Sequence, residues 1–109
     1  ARLLALQRDK LPRSVLFIAF SGEEEGLVGS AYYVRNATVP TDKIVAMINL
    51  DMIGRMTNDR LSVSGIGSSP QWEEIVKSAN TDGLTLNLGQ ASTGGSDHTS
   101  FFMANTSSR

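Results

Sequence analysis

The chain has 109 residues, 40% of them hydrophobic, with 10 Lys+Arg against 11 Asp+Glu and a formal net charge of −1. That length allows one domain, 1–109, and the near balance of charge leaves no basic footprint for nucleic acid or an anionic membrane. With no cysteine, disulfides and thiolate zinc sites are excluded, so any metal must be held by oxygen and imidazole; no apolar run approaches the roughly 18 residues of a membrane-spanning helix.

Ala1-Arg2-Leu3-Leu4-Ala5-Leu6-Gln7-Arg8 reads as the end of a helix already under way, with Leu3, Leu6 and Leu11 spaced for one face. It lacks an initiating methionine and its apolar part is too short for a secretory signal, so the chain is expected to start mid-fold, as part of a longer protein. Pro12 breaks that helix. Val15-Leu16-Phe17-Ile18-Ala19, continuing to Phe20, has the length and β-branched, aromatic character of a strand buried on both faces. Phe20-Ser21-Gly22-Glu23-Glu24-Glu25-Gly26-Leu27-Val28-Gly29-Ser30 follows, placing three carboxylates just beyond the strand's carboxyl end, where open α/β sheets bind ligands. Leu27, Ala31 and Val34 recur at helical spacing and predict a helix from about Glu24 to Arg35, and Asn36 to Asp42 is a loop.

Lys43 to Gly54 is a second long apolar run, interrupted near its end by Asn49 and Asp51, which share a face on a strand period of two. Leu61-Ser62-Val63-Ser64 predicts a short strand that leaves through Gly65-Ile66-Gly67. Ser68-Ser69-Pro70 starts a helix whose face is Trp72, Ile75, Val76 and Ala79, with Trp72 assigned to the core. Thr81-Asp82-Gly83 turns the chain into Leu84-Thr85-Leu86-Asn87-Leu88, whose strict alternation marks a half-buried strand near a sheet edge. Gly89 to His98 is a small-residue loop that delivers the sole histidine next to Asp97, and 103–109 reads as a polar tail. This order predicts a three-layer α/β/α domain on a mostly parallel mixed sheet.

The acidic residues admit more than one chemistry. Ser21 and Glu24 have the spacing of a capping box, and carboxylates in a first helical turn complement the helix dipole by about 0.3–1 kcal/mol each. Against that, Gly26 and Gly29 fall where the first two helical turns should be, each costing about 1 kcal/mol relative to alanine. Close backbone packing, or a short helix subordinate to a site, accounts for them better. A buried Asp51 needs a partner, either a cation or an ion pair such as one with Arg55. Glu23-Glu24, Asp51 and Asp97-His98 together offer hard oxygens and one imidazole, a donor set suited to zinc. Of two adjacent glutamates, one can ligate while its neighbour carries a proton. His98, as a lone histidine, reads rather as a hydrogen-bonded packing residue than as a ligand, and Glu25, Tyr32 and Tyr33 as surface or packing groups.

The segments 20–30, Asn49-Leu50-Asp51-Met52-Ile53-Gly54 and Gly95-Ser96-Asp97-His98 resemble, in order, three signatures of the co-catalytic zinc aminopeptidases, whose relatives include carboxypeptidase-like dipeptide hydrolases and glutaminyl cyclases. The resemblance implies the phosphorylase/hydrolase-like zinc exopeptidase fold, here incomplete. It implies that Glu23 is the general acid/base, Glu24 a ligand of one zinc and Asp51 a ligand of the other, with Asp97 and His98 beside the site. In the family a histidine and a bridging aspartate lie upstream of the glutamates and a last histidine lies downstream, and this chain holds a candidate for none of them. The implied activity is hydrolysis of peptides with a free amino terminus through a metal-bound water, the isolated chain being expected to be inactive. Glutaminyl cyclization is a variant on the same scaffold. The alternative is a metal-free interaction module that self-associates through exposed sheet edges. An extracellular or periplasmic location is expected from the resemblance alone.

Overall fold

The computed structural model describes residues 1–106. In chain order its regular elements are α1 (Arg2–Ala5), α2 (Val28–Arg35), β1 (Arg60–Val63), α3 (Trp72–Ala79), β2 (Thr85–Leu88) and α4 (His98–Thr106). No helix among the described residues is long and apolar enough to cross a membrane. Residues 103–106 of the expected polar tail continue α4, and 107–109 lie outside the described residues.

β1 and β2 pair in parallel, Arg60 opposite Thr85 and Val63 opposite Leu88, and α3 is the crossover that parallel neighbours require. Leu61, Val63, Leu86 and Leu88 are half-buried while Arg60, Ser62, Thr85 and Asn87 are exposed, as the strand period demands of a pair covered on one side. Pairing extends past the strands, with Ile66 N–H donating to Gly89 O (3.1 Å) and Gly67 N–H to Gln90 O (3.2 Å). Those bonds anchor the loop that leads to α4. In α3, Trp72 and Val76 are half-buried, whereas Ile75 is 48% exposed, so the expected apolar face is covered only in part.

A second packing unit joins α2 to α4. Phe20, Tyr33 and Phe101 form a ring cluster with centroids 6.2, 5.9 and 5.7 Å apart, each contact adding about 0.5–1.5 kcal/mol beyond area burial. Phe101 is buried, and Ser30 is wholly enclosed beside it, its hydroxyl 2.9 Å from Ser100 Oγ. The end of the first apolar run is therefore fixed to both helices.

The apolar runs themselves depart from the expected sheet. Residues 14–20 and 44–50 belong to no ladder among the described residues, and the sheet there has two strands, β1 and β2. Leu16 and Phe17 are 54% and 56% exposed, and Ile48 and Leu50 are 74% and 71% exposed. A strand buried on both faces needs neighbours on both edges, and β1 and β2 satisfy each other instead. The α/β character thus stands, in α-helices together with one parallel pair of strands among the described residues.

Candidate functional site

Residues 21–28 do not begin a helix; they fold back on themselves before one. Gly22 (φ 65°), Gly26 (φ 95°) and Leu27 (φ 61°) all adopt left-handed backbone, which interrupts helical geometry and delays α2 to Val28. Leu27 pays about 1–2 kcal/mol for that conformation. The open N–H groups at the start of α2 are satisfied by main chain: Leu27 N–H donates to Glu23 O (2.9 Å), Val28 N–H to Gly22 O (3.0 Å) and Gly29 N–H to Ser21 O (2.9 Å). No side chain caps α2, so the capping-box reading of Ser21 and Glu24 fails. Gly29 is required because a Cβ there would lie 2.5 Å from Ser21 O. The turn thereby presents Glu23 and Glu24 with their carboxylates uncommitted to the helix.

Glu23 is half-buried, and its carboxyl is held above the ordinary value of 4.5, first by loss of solvent and then by repulsion from Glu24, Asp51 and Asp97. Residues distant in sequence are thus brought into one negative field. The ion pairs among the described residues, Arg8–Asp9, Lys43–Asp42 and Lys77–Glu73, all lie elsewhere, and Arg55 does not pair with Asp51. Asp97 is 8% exposed, and its Oδ1 has no hydrogen-bond partner among the described residues. His98 opens α4, half-buried, with its Nε2 likewise without a partner.

Asp51 is exposed, and its Oδ2 accepts a hydrogen bond from Ser96 Oγ at 2.7 Å. Ser96 Oγ in turn accepts from Asn49 Nδ2 at 2.6 Å. Asn49 and Asp51 meet on the hydroxyl of Ser96, as their shared face on a strand period predicts, although residues 44–50 join no ladder among the described residues. Ser96, a member of the third signature segment, was not singled out, because a serine in a small-residue loop carries no periodic signal. The 89–98 loop reaches Asp51 through this hydroxyl.

A family model described as peptidase family M28 matches residues 1–108. The chain belongs to peptidase family M28. The expectation drawn from the three signature segments therefore holds at the level of family. Among curated relatives, M28 residues here are 37% identical over 60 positions to a probable zinc metalloprotease of Pyrenophora tritici-repentis, covering 55% of this chain and 12% of that protein. They are 38% identical over 61 positions to one of Leptosphaeria maculans, covering 55% of this chain and 14% of that protein. They are 44% identical over 57 positions to one of Pyrenophora teres f. teres, covering 50% and 11% respectively. The chain thus spans only about an eighth of the length of these relatives. No solved structure matches it significantly.

The donor chemistry of this M28 chain suits a divalent cation, because mutually repelling carboxylates without a basic neighbour gain most from one. Their arrangement does not complete a site: among the described residues no group of three or more His, Cys, Asp or Glu side chains is placed to hold a metal ion.

Proposed function

We propose that the chain supplies the carboxylate part of the active site of a zinc-dependent aminopeptidase, within a polypeptide that completes the three-layer fold and the ligand set. The observation that carries this reading is the left-handed turn at Gly22, Gly26 and Leu27 that sets Glu23 and Glu24 ahead of α2 in a chain of family M28, and the raised carboxyl of Glu23 accords with it. A carboxyl poised toward its protonated form can accept the proton of an attacking water and release it to the departing amine. Glu23 takes that role, and Glu24 and Asp51 are the oxygen donors that the chain contributes to zinc. Membership of M28 and the relatives' printed names as probable zinc metalloproteases support the metal. The substrate is a peptide with a free amino terminus.

The test is hydrolysis of an aminoacyl anilide and of its N-acetylated counterpart by the complete polypeptide that carries these residues, with and without Glu23→Gln. The reading predicts cleavage of the free amine only, and a fall in kcat on the order of 10²–10⁴-fold in the variant. Equal cleavage of the acetylated compound overturns the aminopeptidase assignment, and undiminished turnover in Glu23→Gln overturns the role of Glu23. A second reading, a metal-free module that assembles through exposed sheet edges, is favoured by the exposure of Leu16, Phe17, Ile48 and Leu50 in runs that join no ladder among the described residues. It predicts self-association in sedimentation and no zinc-dependent turnover in the same complete polypeptide.

A further inference from the structure

We propose that Asn49 is a positioning residue that acts through Ser96 to dictate which oxygen Asp51 presents. The bond directions follow from elementary chemistry. A carboxylate only accepts, so the single proton of Ser96 Oγ must point to Asp51 Oδ2, 2.7 Å away. The atom of Asn49 that lies 2.6 Å from Ser96 Oγ must then be its amide nitrogen, since an oxygen there would have no proton to share. Asn49 thus occupies an acceptor lobe of the hydroxyl and leaves it one direction in which to donate.

Two consequences converge on Asp51. Its Oδ2 is engaged, while Oδ1 takes no hydrogen bond among the described residues. The carboxylate is therefore fixed by one oxygen and presents the other. The run that precedes it, 44–50, has no ladder among the described residues, and the hydroxyl that Asn49 and Asp51 share ties its end to the 89–98 loop. Asn49 is half-buried and two residues from Asp51, and the two side chains meet on one hydroxyl. A bond from a hydroxyl to a charged acceptor is roughly twice as strong as a neutral one, which makes this pair of contacts an effective latch. The relay belongs to the chain itself; that the presented oxygen receives zinc rests on the proposed function.

The experiment is a double-mutant cycle on this chain with Asn49→Leu, Ser96→Ala and their combination, read in two ways. In the zinc-free protein at neutral pH, the Ser96 χ1 couplings and the Asp51 ¹³Cγ resonance are measured by NMR. Asn49→Leu is expected to leave Ser96 averaging between rotamers and to shift Asp51, with no further Asp51 shift when Ser96 is already alanine. In zinc titrations by calorimetry, each single variant is expected to weaken binding on the order of 10-fold, and the double variant no more than Ser96→Ala alone. Ser96→Thr, which keeps the hydroxyl, restores wild-type behaviour. An unchanged Ser96 rotamer in Asn49→Leu, or multiplicative losses in the double variant, overturns the relay. If the unmodified chain binds no zinc, the cation reading fails for it while the NMR arm still decides the relay. Should Asn49→Leu fail to fold, Asn49→Asp removes the donor in the same shape and is expected to give the same Ser96 averaging.

Discussion

Replacing Gly29 by alanine sets two effects of known sign against each other. Alanine is favoured over glycine in a helix by about 1 kcal/mol, which on its own predicts stabilisation of α2. The added Cβ, however, would stand 2.5 Å from Ser21 O and 2.8 Å from Ser21 N, both main-chain atoms that no rotamer change can move. Opening that contact displaces the 21–28 turn and breaks the 2.9 Å bond from Gly29 N–H to Ser21 O, a loss of about 1 kcal/mol in addition to an overpacking cost of about 1–3 kcal/mol. The contact wins, and Gly29→Ala is expected to destabilise the fold by about 1–3 kcal/mol. Gly54 provides the control, having no neighbour within reach of a Cβ and no left-handed backbone, so Gly54→Ala is expected to stabilise by about 0.4–1 kcal/mol. The assay is urea unfolding followed by circular dichroism for the two variants and the parent chain. An unfolding midpoint for Gly29→Ala at or above that of the parent would refute the claim that backbone crowding, rather than helix propensity, governs the start of α2.

Three further outcomes follow from the same structure. Tyr33→Phe keeps the ring contacts with Phe20 and Phe101 and removes a buried hydroxyl that has no partner among the described residues, so thermal denaturation is expected to show a gain of about 1 kcal/mol. Ser30→Ala removes the wholly buried hydroxyl that meets Ser100 Oγ between α2 and α4, with an expected loss of about 1 kcal/mol in the same measurement. Because the folded-state value of Glu23 is raised above the ordinary 4.5, its contribution to stability is fully present below that value and is lost as pH rises through the folded-state value. Subtracting the urea stability of Glu23→Gln from that of the parent should therefore give a difference that falls from acid to neutral pH, and a flat difference contradicts the repulsive field assigned to Glu23.

How far the sequence foretold this molecule differs between its segments for physical reasons. The β1, α3 and β2 unit was legible because each element carries its own period: alternation in Leu84 to Leu88, and Trp72 with Val76 on one helical face. Residues 15–20 and 44–50 carry an apolar signal that reports a demand for burial, not the partner that meets it, and no ladder forms for either run among the described residues. The start of α2 was misplaced because Ser21 and Glu24 mimic a cap, whereas the positive φ of Gly22, Gly26 and Leu27 holds the turn outside the helix. The glycines that argued against a simple helix start pointed the right way, as the crowding at Gly29 explains. The family's signature segments imply that Glu23, Asp51 and Asp97 lie near one site, and the repulsion that raises the carboxyl of Glu23 comes from Glu24, Asp51 and Asp97 after loss of solvent. The contact of Ser96 with Asp51 was beyond reach, since a hydroxyl 45 positions away announces itself by no spacing rule. Trp72, assigned wholly to the core, is half-buried.

The chain is proposed to hold the carboxylate part of a metal site without completing it. Calorimetric titration of the chain with zinc, alongside Glu24→Ala and Asp51→Ala, tests that claim most directly. Weak binding that either substitution abolishes is expected, with no hydrolysis of an aminoacyl anilide by the same samples. Tight binding accompanied by turnover, or binding that survives both substitutions, would contradict it.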